Sequence, residues 1–348
     1  GAPAPAAKKK GGGGDLRKRM VTGWSMAALA TAWIFCGNAV FAAGFFVHAA
    51  LSQLEYFRMV HLKGHAPARK ISLLATALLY WCAAFAPGLH EVVLPLSGTA
   101  VMVWMLVMRR EMGTISDIST TFLGLFYTGY LPSFWVRLRA LGEVGAPRLL
   151  GRLLGPAPPA LFRALPFLKS PDLWTVGAQI TWWTYTTIVG ADVFAYFAGK
   201  AYGRTKLSAL SPAAGQASPN KTVEGFLGGC VGAAAVATAG AFLLHWPLWW
   251  ATGPAYGALM AAVALVGDLT ASMFKRDAGL KDSGEMLPGH GGLLDRVDSY
   301  MFTAPVALLF VQLGLPFFRR LEGLLPLPAA LTARAGLAAG QLALIFRR

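Results

Sequence analysis

The chain has 348 residues, of which 55% are hydrophobic and only 14% charged, with a formal net charge of +15 at pH 7. A soluble domain carries about 25% charged residues, so this composition excludes a water-facing surface over most of the chain and indicates an integral membrane protein. The basic excess lies in short loops between apolar runs, where anionic lipid and the positive-inside bias explain it better than nucleic acid, which is not expected as a partner.

Residues 1–20 read as a flexible, basic, low-complexity tail, because Ala2 to Gly14 holds little besides Ala, Pro, Lys and Gly. The chain starts at Gly1 without an initiator Met, so this tail fits either a fragment edge or the remnant of a targeting segment. Apolar runs then fall at about 24–50, 71–87, 92–108, 115–135, 174–199, 225–245, 247–268, 300–318 and 326–346. A helix needs roughly 20 mainly apolar residues to cross a bilayer, and these runs are continuous rather than alternating. The expected fold is therefore all-α and polytopic, with about eight transmembrane helices.

The first run contains Gly37, Asn38 and Gly44 and fits either one tilted span or two short ones. Trp182, Trp183, Trp246, Trp249 and Trp250 lie near run ends, where an indole can face head groups. The stretch at about 142–172, rich in Pro, Gly and Arg, is expected on the membrane surface. Residues 21–325 are read as one membrane domain whose catalytic half is about 174–318, and 326–348 as a separate apolar segment containing Arg334. Cys36, Cys82 and Cys230 lie far apart in apolar runs, which suggests small core residues and neither a disulfide nor a zinc site.

Two polar stretches interrupt this pattern, at 200–224 and 275–299, both dense in Gly, Pro, Lys, Arg, Asp and Ser. Ionisable loops at a bilayer surface are where chemistry is sought. Asp268 ends an apolar run, and Asp268, Ser272 and Lys275 share one helical face, with Arg276 next to it. The basic pair alone is explained by snorkelling, but a carboxylate at membrane depth is expensive and usually functional. Lys281-Asp282 and Pro288-Gly289-His290-Gly291-Gly292 follow, a loop able to present backbone N–H groups to phosphates, although it is not a Walker A sequence and fits a plain turn equally well. Asp295 and Asp298 are three apart, so they either complement a helix N-terminus or, with Asp268, hold Mg²⁺, which takes carboxylates together with substrate phosphates. Upstream, Asp192, Tyr196 and Lys200 are spaced four apart on one face, and Asp192 inside an apolar run is either functional or neutralised by a partner. Cations and hydroxyls in Gly203-Arg204-Thr205-Lys206 and Ser218 to Gly225 have the chemistry of phosphate contact, or simply form a solvated basic loop.

Ser272-Met273-Phe274-Lys275-Arg276, Lys281-Asp282-Ser283-Gly284, Pro288-Gly289-His290-Gly291-Gly292 and Leu294-Asp295-Arg296-Val297-Asp298 together resemble the signature of the phosphatidate cytidylyltransferase family, over 27 residues. The upstream elements Asp192-x-x-Ala195-Tyr196-x-x-Gly199-Lys200, Gly203-Arg204-Thr205 and Lys221-Thr222-x-Glu224-Gly225 are also similar to the family. One departure is visible: the family's S-P runs directly into K-K-T, whereas here Ser211-Pro212 is followed by AAGQA and then Ser218-Pro219-Asn220-Lys221-Thr222, with Asn220 in place of a lysine. Glu55-Tyr56-Phe57, the run Gly124 to Val136 and Arg276-Asp277-Ala278-Gly279 look like the plastid branch, which implies the plastid inner envelope or thylakoid.

The resemblance implies the reaction of CTP with phosphatidate to give CDP-diacylglycerol and pyrophosphate, carried out in the bilayer. It implies Mg²⁺ on Asp268, Asp295 and Asp298, with a second cation as an option. Lys275, Arg276, Lys281 and Arg296 would offset phosphate charge, and Asp282 and His290 would complete the catalytic set. Asp192, Tyr196, Lys221, Thr222, Glu224, Ser272, Gly289, Gly291 and Gly292 would contact substrate. A homodimer is a further expectation. A CTP-dependent polyprenol-type kinase would share nucleotide and bilayer but transfer the γ-phosphate. A transporter would scatter its acids through several spans, whereas here they concentrate around two loops. A CDP-alcohol phosphotransferase is disfavoured because its D-G-x-x-A-R helix motif is missing.

Overall fold

A computed structural model describes residues 13–110, 112–142, 175–284 and 291–324. Among them there is no strand beyond isolated bridge residues, such as the antiparallel pair Lys206 and Thr222, and most of the rest is helix. The all-α reading of the sequence is thus met. The membrane-surface stretch from 143, the C-terminal segment from 325, and Gly289 and His290 lie outside the described residues.

Helix α1 (Gly13–Ile34) begins inside the stretch read as tail, so the helix reaches further toward the N-terminus than the sequence boundary at residue 20. It is separated from α2 (Asn38–Leu62) by Gly37, whose φ of 97° is a left-handed conformation open to glycine at little cost. The first apolar run is therefore two helices rather than one tilted span. Next come α3 (Arg69–Phe85) and α4 (His90–Val107), then α5 (Ile115–Gly124), which continues through a wide turn into α6 (Leu131–Arg139). The second half contains α7 (Val176–Tyr202), the short α8 (Pro212–Ala217), α9 (Val223–Leu243) and α10 (Trp249–Asp277). It closes with α11 (Leu294–Met301), α12 (Thr303–Leu309) and α13 (Leu315–Leu324), three pieces of one continuous apolar rod.

Among the described residues, five helical stretches are long and apolar enough to cross a membrane: 38–62, 87–107, 223–243, 249–277 and 294–324. This is fewer than the roughly eight spans expected from run length alone. The difference has physical causes. Helix α3 has only 17 residues, and α7, although 27 residues long, is rich in Thr, Trp and Tyr rather than Leu and Val.

Long-range contacts define the two ends of the bundle. At one end Lys63 Nζ meets the carbonyl and the carboxylate of Asp277, each at 3.1 Å, and the Ala66 N–H donates to Asp117 at 2.6 Å. At the other end Arg139 Nε donates to the Ile34 carbonyl at 2.7 Å, and the Leu248 N–H donates to Glu322 at 3.2 Å. The first end carries both polar stretches and is called the polar end below. Helices α7, α9 and α10 approach each other through small residues: a Cβ on Gly257 would lie 2.4 Å from the Ala233 carbonyl oxygen, and one on Gly229 would lie 2.9 Å from that of Ala191. Such small-residue contacts let helices meet backbone to backbone where lipid supplies no hydrophobic drive for association.

The tryptophans divide between helix contacts and exposure. Trp246 is buried against Tyr256, and Trp182 donates to Thr31 at 3.0 Å, so they secure helix contacts; Trp250 is the exposed one of the group. Of the cysteines, Cys82 is buried, Cys230 partly buried and Cys36 exposed, and the three are not joined in a disulfide.

Candidate active site

At the polar end, α7, α9, α10 and α11 surround a cavity of about 720 Å³. Its walls bring together most of the residues singled out from the sequence. Asp192 and Tyr196 come from α7, Lys221 and Thr222 from the entry to α9, and Asp268 and Lys275 from α10. Asp282 comes from the loop, and Asp295, Arg296 and Asp298 from α11. The two polar stretches, separated in sequence by the α9–α10 hairpin, therefore face one space.

The approach of α10 and α11 explains how two acids come to share a wall. A Cβ on Gly267 would lie 2.4 Å from the Asp298 carbonyl oxygen, so only glycine permits this contact. It sets Asp268, the next residue, beside Asp298. Asp298 is 8% exposed, and the Ser299 N–H donates to its Oδ1 at 2.7 Å. Across the cavity Lys221 Nζ reaches Asp268 Oδ2 at 2.5 Å, with both side chains partly open. Ser272 Oγ donates to Asp268 Oδ1 at 3.3 Å, which places Ser272 as support for Asp268 rather than on the cavity wall. Asp192 is open to the cavity and lies within electrostatic reach of Lys221 and Asp268.

A second pair is built differently. Lys275 Nζ lies 2.5 Å from Asp295 Oδ1, and both side chains are 11% exposed. Asp295 Oδ2 accepts from the Ser283 N–H (2.9 Å), the Ser283 hydroxyl (3.1 Å) and the Gly292 N–H (3.1 Å). Both oxygens are thus engaged by a buried lysine and by the loop. Asp295, in the first turn of α11, is held by Lys275 and the loop, and Lys275, on the same face of α10 as Asp268 and Ser272, pairs with Asp295 rather than with Asp268.

This affects the expected metal triad. Among the described residues, no three Asp, Glu, His or Cys side chains form a group able to hold a metal ion by themselves. Asp268 and Asp298 remain side by side with oxygen ligands only, a donor set suited to a hard cation that completes its shell with phosphate oxygens and water.

Other expected site residues have other neighbours. Glu224 accepts from the backbone N–H groups of Arg204 (3.1 Å) and Thr205 (3.0 Å), so it braces the 203–206 loop and does not line the cavity. Thr222 lines the cavity and also caps α9, its hydroxyl accepting from the Gly225 N–H at 3.2 Å. Arg276 is exposed and donates to the Leu280 carbonyl at 3.3 Å, while Lys281 is exposed outside the lining. Gly291 takes a φ of 80°, and Gly292 is buried.

Sequence reasoning gave one residue too little weight. Glu55 of α2 is 7% exposed, and its carboxylate accepts from the Ser283 hydroxyl (2.7 Å) and from the N–H groups of Leu293 (2.9 Å) and Leu294 (2.9 Å). The signal was slight: Glu55 lies between the apolar runs at about 24–50 and 71–87 and stood out only within Glu55-Tyr56-Phe57.

The family model described as "Cytidylyltransferase family" matches residues 17–314. The chain is 44% identical over 297 residues to a phosphatidate cytidylyltransferase of Synechocystis sp., covering 84% of this chain and 96% of that protein. It is 34% identical over 311 residues to phosphatidate cytidylyltransferase 4, chloroplastic, of Arabidopsis thaliana, covering 87% and 75% respectively. It is also 26% identical over 303 residues to a phosphatidate cytidylyltransferase of Bacillus subtilis, covering 86% and 98%. The match embraces both the helical scaffold and the cavity it encloses, and the chain belongs to the cytidylyltransferase family.

Proposed function

We propose that this chain is the membrane enzyme that joins CTP and phosphatidate into CDP-diacylglycerol and releases pyrophosphate. The observation that carries this reading is one cavity at the polar end in which Asp192, Asp268 and Asp298 face Lys221, in a chain similar over nearly its whole length to phosphatidate cytidylyltransferases. A phosphate oxygen of phosphatidate attacks the α-phosphorus of CTP. The new P–O bond forms as the bond to the β-phosphate bridge breaks, and that bridging oxygen leaves on pyrophosphate.

Such a transfer needs positioning and charge neutralisation more than a covalent nucleophile. Asp268 and Asp298 would hold Mg²⁺ together with substrate phosphate oxygens, and the ion would neutralise charge on the triphosphate. Lys221, held by Asp268, is placed to meet a phosphate oxygen when substrate enters. Arg296 adds positive charge to the same wall. Lys275 acts indirectly, because its charge is spent on Asp295. The lipid reaches the cavity from the bilayer and the nucleotide from water, which accounts for a site at the end of a helix bundle.

Purified protein supplied with α-labelled CTP, phosphatidate and Mg²⁺ should produce labelled lipid and pyrophosphate. A lipid phosphorylated from γ-labelled CTP, without cytidine, would instead mark a CTP-dependent lipid kinase. The chloroplastic relatives and the basic N-terminal stretch support residence in a plastid membrane. A fluorescent fusion of the full-length protein should follow chloroplast membranes, and a reticular endoplasmic pattern would contradict this.

A further inference from the structure

Helix α2 holds the catalytic loop from more than 200 positions away in sequence. At the start of the loop Lys63 grips the carbonyl and carboxylate of Asp277, and Tyr56 meets Phe274 edge-on with ring centroids 5.5 Å apart. At its end Glu55 accepts from Leu293 and Leu294, the N–H groups that open α11. The residue before α11, Leu293, has no side-chain oxygen with which to cap the helix. The first N–H groups of a helix lack partners within the helix, and negative charge is favoured beside them. Glu55 supplies that cap from another helix, while its contact with Ser283 ties the other arm of the loop to the same carboxylate.

The fit is tight from both sides. A Cβ on Gly292 would lie 2.6 Å from Glu55 Oε2 and 2.0 Å from Ser283 Oγ, and one on Gly284 would lie 2.6 Å from Glu55 Oε1. Glu55 itself does not line the cavity, but the segment it holds bears Asp282, Arg296 and Asp298, which do.

We propose that Glu55 is a positioning residue for the nucleotide: it caps α11 in trans and holds Ser283 and the Leu293–Leu294 entry to α11 against α2, so that Asp282 and α11 present a preformed wall to CTP. This rests on the cytidylyltransferase reading above. Lys281 and Asp282 of the loop and Arg296 of α11 make an exposed, charged rim at the polar end, where a nucleotide from water would arrive, whereas phosphatidate would enter from the bilayer. Loosening the rim therefore weakens capture of CTP before it weakens capture of lipid.

The test is a pair of Michaelis constants in full-length protein in detergent–lipid micelles. Glu55→Ala removes three acceptor contacts, and KM for CTP should rise about tenfold or more, while KM for phosphatidate stays within about twofold. Glu55→Gln, which keeps the shape and one oxygen, should recover part of that loss. Ser283→Ala should shift KM for CTP in the same direction by a smaller factor, and it decides the matter together with Glu55→Gln if Glu55→Ala does not fold. An unchanged KM for CTP, with kcat falling only as the folded fraction falls, would overturn the proposal and leave Glu55 a scaffold residue. Equal rises in both KM values would overturn it as well. Wild-type protein is the control: if it makes no CDP-diacylglycerol, the functional reading fails rather than this inference.

Discussion

Two carboxylates one helical turn apart on α11 have opposite surroundings. Asp295 is surrounded by donors: Lys275, the Ser283 backbone and hydroxyl, and the Gly292 N–H use both its oxygens. Asp298 receives the Ser299 N–H at 2.7 Å, with the Ser299 hydroxyl at 3.5 Å, and faces the cavity it shares with Asp268. Residue type and spacing make them equivalent; their partners do not. An acid that binds a loop together and an acid that meets a ligand differ in how many donors the protein itself supplies, and that number depends on tertiary contacts.

The comparison can be broken most severely by removing the ion. Excess EDTA should abolish activity, and added Mg²⁺ or Mn²⁺ should restore it, because the cavity offers oxygen ligands only; full turnover in chelator would end the metal assignment. Asp268→Asn should come next. It keeps volume but removes charge from the cavity and from Lys221, and kcat should fall by at least about 10²-fold, the effect of losing one electrostatic stabiliser. Asp295→Asn should behave otherwise. It leaves Lys275, 11% exposed, without a charged partner, so the protein should lose on the order of 2 kcal/mol of stability in detergent, read as a lowered unfolding temperature. Turnover of the protein that remains folded should fall by less than about tenfold. Arg276→Ala should matter least, within about twofold in kcat/KM, since Arg276 is exposed and, among the described residues, donates to the Leu280 carbonyl. A collapse of activity in that variant would show that it touches substrate.

Much of this was legible in the sequence, for identifiable reasons. Continuous apolar runs report helices directly, and α3, α4 and α9 begin within two residues of the expected positions. The continuous motif from Ser272 to Asp298 located the loop. Two things were less legible. Whether Gly37 bends or breaks a helix depends on neighbours, and the break was visible only as an alternative. The division of labour among the acids was hidden because hydrogen-bond donors are counted in space: Glu55 and Leu294 lie on different helices, and Lys275 could face Asp268 or Asp295 with the same sequence. Glu55 was noted only as part of Glu55-Tyr56-Phe57, a short motif without an assigned role.

Turnover of Asp298→Asn, measured with labelled CTP alongside its unfolding temperature, tests the central assignment most directly. Asn preserves the volume and can still accept the Ser299 N–H, so the fold should hold and the unfolding temperature should stay near that of the unmodified protein. If Asp298 faces the triphosphate, kcat should drop by at least about 10²-fold. Near-normal turnover in protein with normal membrane insertion and detergent stability would contradict the assignment and leave Asp298 as part of the packing of α11 against α10.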